Sequence, residues 1–283
     1  RRPLTIGVVF SGGQAPGGHN VVGGIFDAIQ QIHTESKLIG FLDGPIGIIK
    51  NRSRLLKQED IDAYRNQGGF DLLGSGRTKI EKAEDFASAL KTCMDQKLDG
   101  LIVIGGDDSN TNAALLTEYC LKNGCKTIVV GVPKTIDGDL KSHMIEISFG
   151  FDTASKTYSQ AIGSLLRDAL SAKKHTFFIK LMGRSASHIA LECALETHPN
   201  LTLISEEIAK EKLTLFDIVK KMADTIEVRS HKGKNYGAFL IPEGVIEYIS
   251  DLDQSLDQLP TEVQKQLSFE RDPHGNLQVS KIE

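Results

Sequence analysis

The chain has 283 residues, of which 33 are Lys or Arg and 37 are Asp or Glu, so its formal net charge is −4. That balance excludes a basic nucleic-acid-binding protein as the first hypothesis. Hydrophobic residues make up 40% of the chain, and no apolar run approaches the roughly 18 residues of a membrane span, so we expect a soluble globular protein. At roughly 150 residues per domain, the length predicts two domains or one large α/β unit.

The cysteines favour a reducing, cytoplasmic environment, because they are scattered and form no CxxC pair. They are Cys93, Cys120, Cys125 and Cys193. The chain has no initiator methionine and opens almost directly on a predicted strand, and it ends inside what reads as a new element. We therefore expect further residues upstream and downstream.

Short apolar runs alternate with helical patterns, which is typical of a parallel sheet built from βαβ units. The clearest predicted strands cover residues 5–10, 100–104 and 127–132. Ligands of such sheets bind at the carboxyl ends of strands, so the loops that follow these strands are the candidate functional segments. These loops lie at 11–20, 105–110 and 133–140.

A second series of alternating elements runs from about residue 148 to 248 and predicts a second α/β lobe. Its predicted helices cover 152–171, 187–195 and 215–229, and its predicted strands cover 176–181, 201–204 and 237–241. The sequence therefore predicts an α/β fold with one lobe at 1–147 and another at 148–248. Residues 249–283 are predicted as a partly helical linker that leads to a missing C-terminal part.

The first loop, SGGQAPGGHN at 11–20, joins a strand to a helical pattern that begins near Val21. Backbone N–H groups of such a loop surround an anion at a helix N-terminus, where the helix dipole also favours negative charge. The loop therefore has the pattern of a phosphate cradle, although it matches neither the Walker motif nor GxGxxG. The alternative is a tight glycine-rich turn without a ligand.

The second loop places Asp107 and Asp108 directly after a strand and before a helix that is predicted at 111–121. Adjacent carboxylates repel each other unless a cation or hydrogen bonds offset them, so magnesium is the expected partner. The alternative is that Asp108 or Ser109 caps the following helix.

The third loop, at 133–139, brings a cation, a hydroxyl and two carboxylates within a few residues of one another. An Asp beside a substrate hydroxyl can orient that hydroxyl and accept its proton as a phosphoryl group transfers. The alternative for this loop alone is a solvated turn. Three such loops at one sheet edge together indicate phosphoryl transfer.

Two charged residues end predicted strands of the second lobe. Arg184 has the planar fork that suits a sugar phosphate, and Glu243 can accept hydrogen bonds from sugar hydroxyls. Taken alone, each is more often an ordinary surface charge.

Together these motifs resemble the phosphofructokinase family and, within it, the long pyrophosphate-dependent type. The segments that carry the resemblance are SGGQAPGGHN (11–20), NQGGFDLLGSGR (66–77), GGDDSNTNAA (105–114), PKTIDGDL (133–140), SFGFDTASKTYS (148–159), LMGRSASHIALECALETHPN (181–200), IPEG (241–244) and QVSKIE (278–283). They occur in order and cover essentially the whole chain. The resemblance implies a phosphofructokinase-like fold of two Rossmann-like lobes with mainly parallel sheets. The first lobe would bind diphosphate and magnesium, and the second would bind fructose 6-phosphate.

The resemblance also implies a role for each matching residue of the first half. The implied diphosphate contacts are Gly12, Gly13, Arg77 and Lys134, and the implied Mg²⁺ ligand is Asp107. The implied substrate contacts are Thr135, Ile136 and Asp137. Of these, Asp137 would accept the proton of the sugar 1-hydroxyl.

In the second half, the resemblance implies that fructose 6-phosphate is held by Met182, Gly183, Arg184 and Glu243. Lys174 and His175 would reach the site of a partner subunit in a homodimer or higher oligomer, although the family pattern favours Lys-Tyr at these two positions. The family's chain continues far past residue 283, through a Tyr-Glu-Gly-Arg-like segment that helps to bind the sugar phosphate.

Asp108 bears on whether the phosphoryl donor is ATP or pyrophosphate. ATP-using relatives look as if they carry glycine where this chain has Asp108. A carboxylate there adds bulk and negative charge beside an incoming anion, so we expect ATP to be excluded. Lys134 would supply the cation that stabilises the leaving group, which makes the expected catalytic residues Asp137, Lys134 and Asp108.

The implied function is reversible phosphoryl transfer from pyrophosphate to fructose 6-phosphate with Mg²⁺, in cytosolic glycolysis or gluconeogenesis, without a nucleic-acid or membrane partner. One alternative is an ATP-dependent 6-phosphofructokinase, which requires Asp108 to be harmless. Another is a non-catalytic regulatory subunit, against which the intact acidic residues argue. A dehydrogenase is disfavoured by the missing GxGxxG, and a zinc hydrolase by the missing HExxH.

Overall fold

A computed structural model describes residues 2–140, 143–146, 148–252, 267–271 and 277–282. The chain divides into two compact units. Unit 1 contains Arg1–Ile136 and Leu140–Asp152, and unit 2 contains Asp137–Asp139 and Thr153–Glu283. The predicted α/β class with mainly parallel sheets is confirmed, whereas the predicted boundaries at 147 and 248 stay a prediction.

Unit 1 is built on one sheet, in which six described strands lie in the order β3-β2-β1-β4-β5-β6. The strands are β1 (Thr5–Ser11), β2 (Lys37–Phe41), β3 (Ser53–Leu56), β4 (Gly100–Gly105), β5 (Ile128–Thr135) and β6 (Phe149–Gly150). Neighbouring strands are parallel except β2 and β3, which are antiparallel. The helices are α1 (Gly18–Ile32), α2 (Pro45–Ile49), α3 (Gln58–Tyr64), α4 (Ala83–Asp95) and α5 (Asp107–Lys122).

The core of unit 1 lies on both faces of this sheet. Along β1, Val8 and Phe10 are buried in one apolar cluster, and Val9, which lies between them, is buried in the other. Successive side chains of a strand point to opposite faces, so a strand covered on both faces becomes a continuous apolar run. This explains why β1 and β4 could be recognised from apolar sequence alone.

The register of the parallel strands aligns their carboxyl ends. Ser11 at the end of β1 pairs with Gly105 at the end of β4, and Gly105 pairs with Pro133 in β5. The loops that follow β1 and β4 therefore leave the sheet side by side, as the sequence predicts.

Two element boundaries in unit 1 differ from the prediction. The helix expected from residue 111 begins at Asp107, with Gly106 as its N-cap, so both acidic residues lie in the first helical turn. Carboxylates are favourable there because of the helix dipole. Strand β5 continues to Thr135, because Lys134 and Thr135 pair with Phe149 and Gly150 of β6.

Unit 2 contains a smaller parallel sheet, with the described strands in the order β7-β9-β8. Its helices are α6 (Phe151–Ala172, whose first two residues belong to unit 1), α7 (His188–Thr197), α8 (Ser205–Glu211) and α9 (Leu215–His231). Its strands are β7 (Thr176–Leu181), β8 (Leu201–Thr202) and β9 (Gly237–Pro242), followed by a 3₁₀ helix (Glu243–Tyr248). The central strand β9 is the most deeply buried, with Ala238, Phe239 and Leu240 almost inaccessible to solvent.

Part of the region predicted as a helical linker is described. Strands β10 (Leu267–Arg271) and β11 (Leu277–Ile282) form an antiparallel pair there. Apolar residues alternate with polar ones over 267–270 and 277–280, which is the pattern of strands. The parts of that prediction at 253–266, at 272–276 and at residue 283 lie outside the described residues. Within the part of the chain that the structure describes, none of the helices combines the length and apolar character that crossing a bilayer requires.

Candidate active site

The glycine loop after β1 is held by a segment that lies alongside it in unit 1. Ser11 forms a parallel bridge with Gly76, and the backbone N–H of Gly12 donates to the carbonyl of Gly76 at 2.9 Å. Gly12 has φ +89°, a conformation that favours glycine. A Cβ added to Gly13 would lie 3.7 Å from a guanidinium nitrogen of Arg77. Partly exposed backbone and a guanidinium therefore lie side by side, an arrangement that suits an anion.

The first turn of α5 reaches the same sheet edge. The hydroxyl of Ser109 donates to the hydroxyl of Ser11 at 2.8 Å, which ties α5 to the end of β1. Asp107 and Asp108 are both exposed in this turn. Asp108 is not isolated, because its Oδ2 lies 3.5 Å from Nζ of Lys79. The alternative that Asp108 or Ser109 caps the helix is wrong, because the N-cap is Gly106 and no described side chain caps this end. A metal-binding role fits this placement.

The end of β5 completes the edge of unit 1. A Cβ added to Gly106 would lie 3.7 Å from the carbonyl oxygen of Lys134, so the backbone of Lys134 lies beside the start of α5. Thr135 is buried, and its carbonyl accepts a hydrogen bond of 3.2 Å from Ser148. Ile136 packs near Gly150 of β6.

Asp107 fits one way of holding a divalent metal ion. Among the described residues, no group of three or more His, Cys, Asp or Glu side chains is gathered into a metal site. Magnesium does not need such a cage, because it usually binds one or two carboxylates, water and the oxygens of a substrate phosphate. An exposed carboxylate beside the glycine loop is compatible with that kind of site.

The predicted sugar-phosphate residues come together in unit 2 at the carboxyl ends of β7 and β9. Leu181 pairs with Pro242 in register, so Met182 and Glu243 follow the two strands at matching positions. The backbone N–H of Gly244 donates to the carbonyl of Gly183 at 3.1 Å, which fastens the two turns to each other. Arg184 is exposed to solvent.

Asp137 belongs to this cluster. The backbone N–H of Arg184 donates to its carboxylate. Burial raises the pKa of Asp137, and the negative charges of Asp139 and Glu243 raise it further, whereas the Arg184 guanidinium opposes the rise. A partly buried carboxylate with a raised pKa is typical of a general base.

Lys174 and His175 are not gathered with the other predicted residues of unit 2. They precede β7, whereas Met182 and Arg184 follow it. The six residues of β7 separate them by roughly 20 Å at about 3.3 Å per residue. Both side chains are exposed, and the carbonyl of His175 accepts a hydrogen bond of 3.0 Å from the N–H of Gly237.

Comparison with known proteins assigns the fold to a family. The family model described as "Phosphofructokinase" matches residues 5–278. The chain belongs to the phosphofructokinase family. A curated relative from Treponema pallidum, named pyrophosphate–fructose 6-phosphate 1-phosphotransferase, is 51% identical over 100% of this chain and 56% of its own length. The beta 2 subunit of the enzyme of that name from Arabidopsis thaliana is 50% identical over 99% of this chain and 54% of its own length.

Among solved structures, a pyrophosphate-dependent phosphofructokinase from Marinobacter aquaeolei superposes with a TM-score of 0.73 at 19% identity, covering 90% of this chain and 66% of that one. This similarity supports the phosphofructokinase fold. The chain spans about half the length of the curated relatives that it matches.

Two residues near the phosphofructokinase motifs were not singled out from the sequence. Lys79 follows Arg77 by two positions, and a second cation so close to a glycine-rich segment is the signal that could have indicated it. Tyr158 lies within the motif at 148–159. Burial raises the pKa of Tyr158, and the charges of Asp137 and Glu243 add to the rise. This phenol therefore lies near the acidic cluster, which consists of Asp137, Asp139 and Glu243.

Proposed function

We propose that this chain forms the catalytic part of a pyrophosphate-dependent phosphofructokinase. The reaction is reversible transfer of a phosphoryl group from pyrophosphate to the 1-hydroxyl of fructose 6-phosphate, which yields fructose 1,6-bisphosphate and phosphate, in glycolysis or gluconeogenesis. The names of the relatives that are about 50% identical support this assignment. The observation that carries it is the partly buried carboxylate of Asp137 beside Arg184 and Glu243.

The acidic cluster supports the sugar half of the reaction. Arg184 pairs with the 6-phosphate, and Glu243 accepts hydrogen bonds from sugar hydroxyls. Asp137 accepts the proton of the 1-hydroxyl as its oxygen bonds to the terminal phosphorus and the bond from that phosphorus to the leaving phosphate breaks. The remaining proposed contacts to the sugar phosphate are Thr135, Ile136, Met182 and Gly183.

The glycine loop supports the diphosphate half. Gly13 offers a backbone donor, whereas the N–H of Gly12 is bonded to Gly76, so Gly12 contributes by letting the backbone approach the phosphate closely. Arg77 and Lys134 offer positive charge to the phosphate oxygens. Asp107 would hold Mg²⁺, which when bound neutralises charge on the phosphate oxygens. The first turn of α5 keeps this carboxylate beside the loop through the contact between Ser109 and Ser11.

Asp108 is the residue proposed to select the phosphoryl donor, through its negative charge and through its bulk. The carboxylate is 69% exposed and has Lys79 as a neighbour, so its repulsion of a phosphate is partly screened. The bulk that it adds in place of a glycine is not reduced by Lys79. We therefore propose that Asp108 disfavours ATP more through the space that it fills than through its charge.

The setting that we propose is the cytoplasm and an oligomer. The four cysteines are free and buried, which fits a reducing compartment. Lys174 and His175 are exposed at the edge of the unit 2 sheet opposite the acidic cluster, where they can reach a second subunit. Subunits that share substrate sites in this way form a homodimer or a higher oligomer.

The test replaces Asp137 by Ala and by Asn in the natural polypeptide that carries this sequence. Removing a general base lowers turnover by about 10²–10⁴-fold, and we expect KM for fructose 6-phosphate to change little. The exposed Asp168 of α6, replaced by Asn, is the matched control. Turnover in the Asp137 variants that equals that of the parent would contradict the assignment.

A further inference from the structure

The three residues of the segment Asp137–Asp139 each accept a hydrogen bond from the segment that follows β7. The backbone N–H of Arg184 donates to the Asp137 carboxylate. The imidazole Nδ1 of His188 lies 3.2 Å from the carbonyl oxygen of Gly138, and the hydroxyl of Ser185 donates to Asp139 Oδ2 at 3.0 Å. Of the three donors, only the backbone N–H is independent of the side chain present.

The acceptor segment needs such support because of its own conformation. Gly138 has φ +71°, so the chain turns sharply directly after the proposed base. The carboxylates of Asp137 and Asp139 repel each other, as the raised pKa of Asp137 reflects in part, after the larger effect of burial. Without outside contacts, this repulsion favours conformations in which the two carboxylates move apart.

The donor segment is itself anchored within unit 2. The N–H of Ser187 donates to Glu206 Oε1 at 3.0 Å, and the hydroxyl of Ser187 accepts from the N–H of Ser205 at 2.9 Å. The hydroxyl of Tyr248 donates to the carbonyl of Ser185 at 3.1 Å. The segment that carries the donors is therefore hydrogen-bonded to α8 and to the 3₁₀ helix.

We propose that Ser185 and His188 are positioning residues that hold the turn after Asp137, so that the Asp137 carboxylate stays at the sugar 1-hydroxyl. This inference rests on the proposed function. It requires the proton of a neutral His188 to lie on Nδ1, where it can be donated to the Gly138 carbonyl. Neither side chain needs to touch the substrate, so both act through Asp137.

The test compares variants that remove each donor with variants that keep it. Ser185→Ala and His188→Leu remove the donor, whereas Ser185→Thr keeps the hydroxyl and His188→Asn keeps an N–H close to the position of Nδ1. Small displacements of a catalytic group cost up to about 100-fold in rate, and here we expect roughly tenfold lower kcat in the first pair, with KM for both substrates within about twofold. The second pair is expected to stay within about threefold of the parent.

A double-variant measurement separates positioning from general damage. In an Asp137→Ala background, Ser185→Ala and His188→Leu are expected to lower kcat no further, because the group that they position is already gone. Ser164→Ala on α6 and His231→Leu on α9 are the control substitutions, since both side chains are exposed and each makes a polar contact within its own helix. Equal losses in His188→Leu and His188→Asn, or full additivity with Asp137→Ala, would overturn the proposal.

Amide hydrogen exchange of a peptide that contains residues 137–140 gives a readout that does not depend on activity. Exchange is expected to be faster in Ser185→Ala and His188→Leu than in the parent, and unchanged in the controls. Unchanged exchange in both variants would overturn the proposal. If the parent itself transferred no phosphoryl group, the proposed function would fail, while exchange would still decide whether the two side chains hold the turn.

Discussion

Asp137 is the residue whose protonation decides whether the proposed base can act. Its pKa is raised by burial first and by the carboxylates of Asp139 and Glu243 next, against the opposing charge of Arg184. A base must be deprotonated to accept a proton, so activity falls as the pH drops through this raised pKa. The acid limb of the pH profile therefore reports the surroundings of one side chain.

Asp139→Asn tests this electrostatic account. The substitution removes one negative charge near Asp137 but keeps an oxygen that can accept the hydrogen bond from Ser185. We expect the pKa of Asp137 to fall, so that the acid limb of kcat moves to lower pH. The measurement is kcat against pH for the parent and the variant, with saturating substrates.

Asp168→Asn provides the control for a change in net charge alone, because Asp168 is an exposed residue of α6. Its acid limb should coincide with that of the parent. An acid limb that stays in place or moves to higher pH in Asp139→Asn would show that Asp139 does not act on the base.

At this scale the sequence predicts residue types better than contacts. Arg184, Glu243 and Asp137 were each singled out by their position after a predicted strand, but only the folded chain shows that Arg184 and Glu243 lie near Asp137. The ion pair between Lys79 and Asp108 joins residues that are far apart in sequence. No local periodicity encodes such a pairing, because it depends on how separate loops leave the sheet.

At the scale of elements, the ends of neighbouring strands place the side chains. The turn after β7 and the turn after β9 pack so closely that Gly244 has no room for a side chain. A Cβ added to Gly244 would lie 1.7 Å from the carbonyl oxygen of Arg184, a distance at which the backbone must move. The glycine of the IPEG motif therefore sets the position of the Arg184 turn.

Gly244→Ala is expected to displace Arg184 and to weaken binding of fructose 6-phosphate. Overpacking of this kind costs about 1–3 kcal/mol, and a loss of about 1.4 kcal/mol in binding alone would raise KM tenfold. Steady-state KM for fructose 6-phosphate and the melting temperature are the two measurements. KM for pyrophosphate should change less than KM for the sugar phosphate.

Gly163→Ala is the matched control within unit 2. Gly163 lies inside α6, and a Cβ there would meet nothing within 4 Å. Alanine is favoured over glycine in a helix by roughly 0.5–1 kcal/mol, so this variant should be slightly more stable than the parent with unchanged KM. Equal KM values for the two glycine variants would contradict the proposed role of the close contact.

Elements with strong apolar patterns could be predicted, and those set by pairing could not. Strand β7 was predicted with the bounds that it has, Thr176–Leu181. The carboxyl end of β5 was predicted as a loop because Pro133 and Lys134 are not typical of strands. Pairing of Pro133 with β4 and of Lys134 with β6 nevertheless keeps them extended. The start of α5 was predicted at residue 111 instead of Asp107, because its first turn is polar and its buried residues begin only at Ala113.

For the whole molecule, the formal charge is −4 although both proposed substrates are anions. Affinity for them must therefore come from local groups rather than from net charge: the amides of the glycine loop with Arg77 in unit 1, and Arg184 in unit 2. The division into units falls between Ile136 and Asp137, within a loop that the sequence presents as one motif. Local sequence patterns do not predict this division, because it depends on which distant parts of the chain each residue packs against.

The choice of pyrophosphate as phosphoryl donor is tested most directly by a coupled assay of the natural polypeptide with fructose 6-phosphate and either pyrophosphate or ATP at the same free magnesium concentration. We expect turnover with pyrophosphate and at least about 100-fold lower kcat/KM with ATP. In the same assay, Asp108→Gly combined with Lys134→Gly should move the preference toward ATP. Turnover with ATP that equals or exceeds turnover with pyrophosphate in the parent would contradict the proposed function.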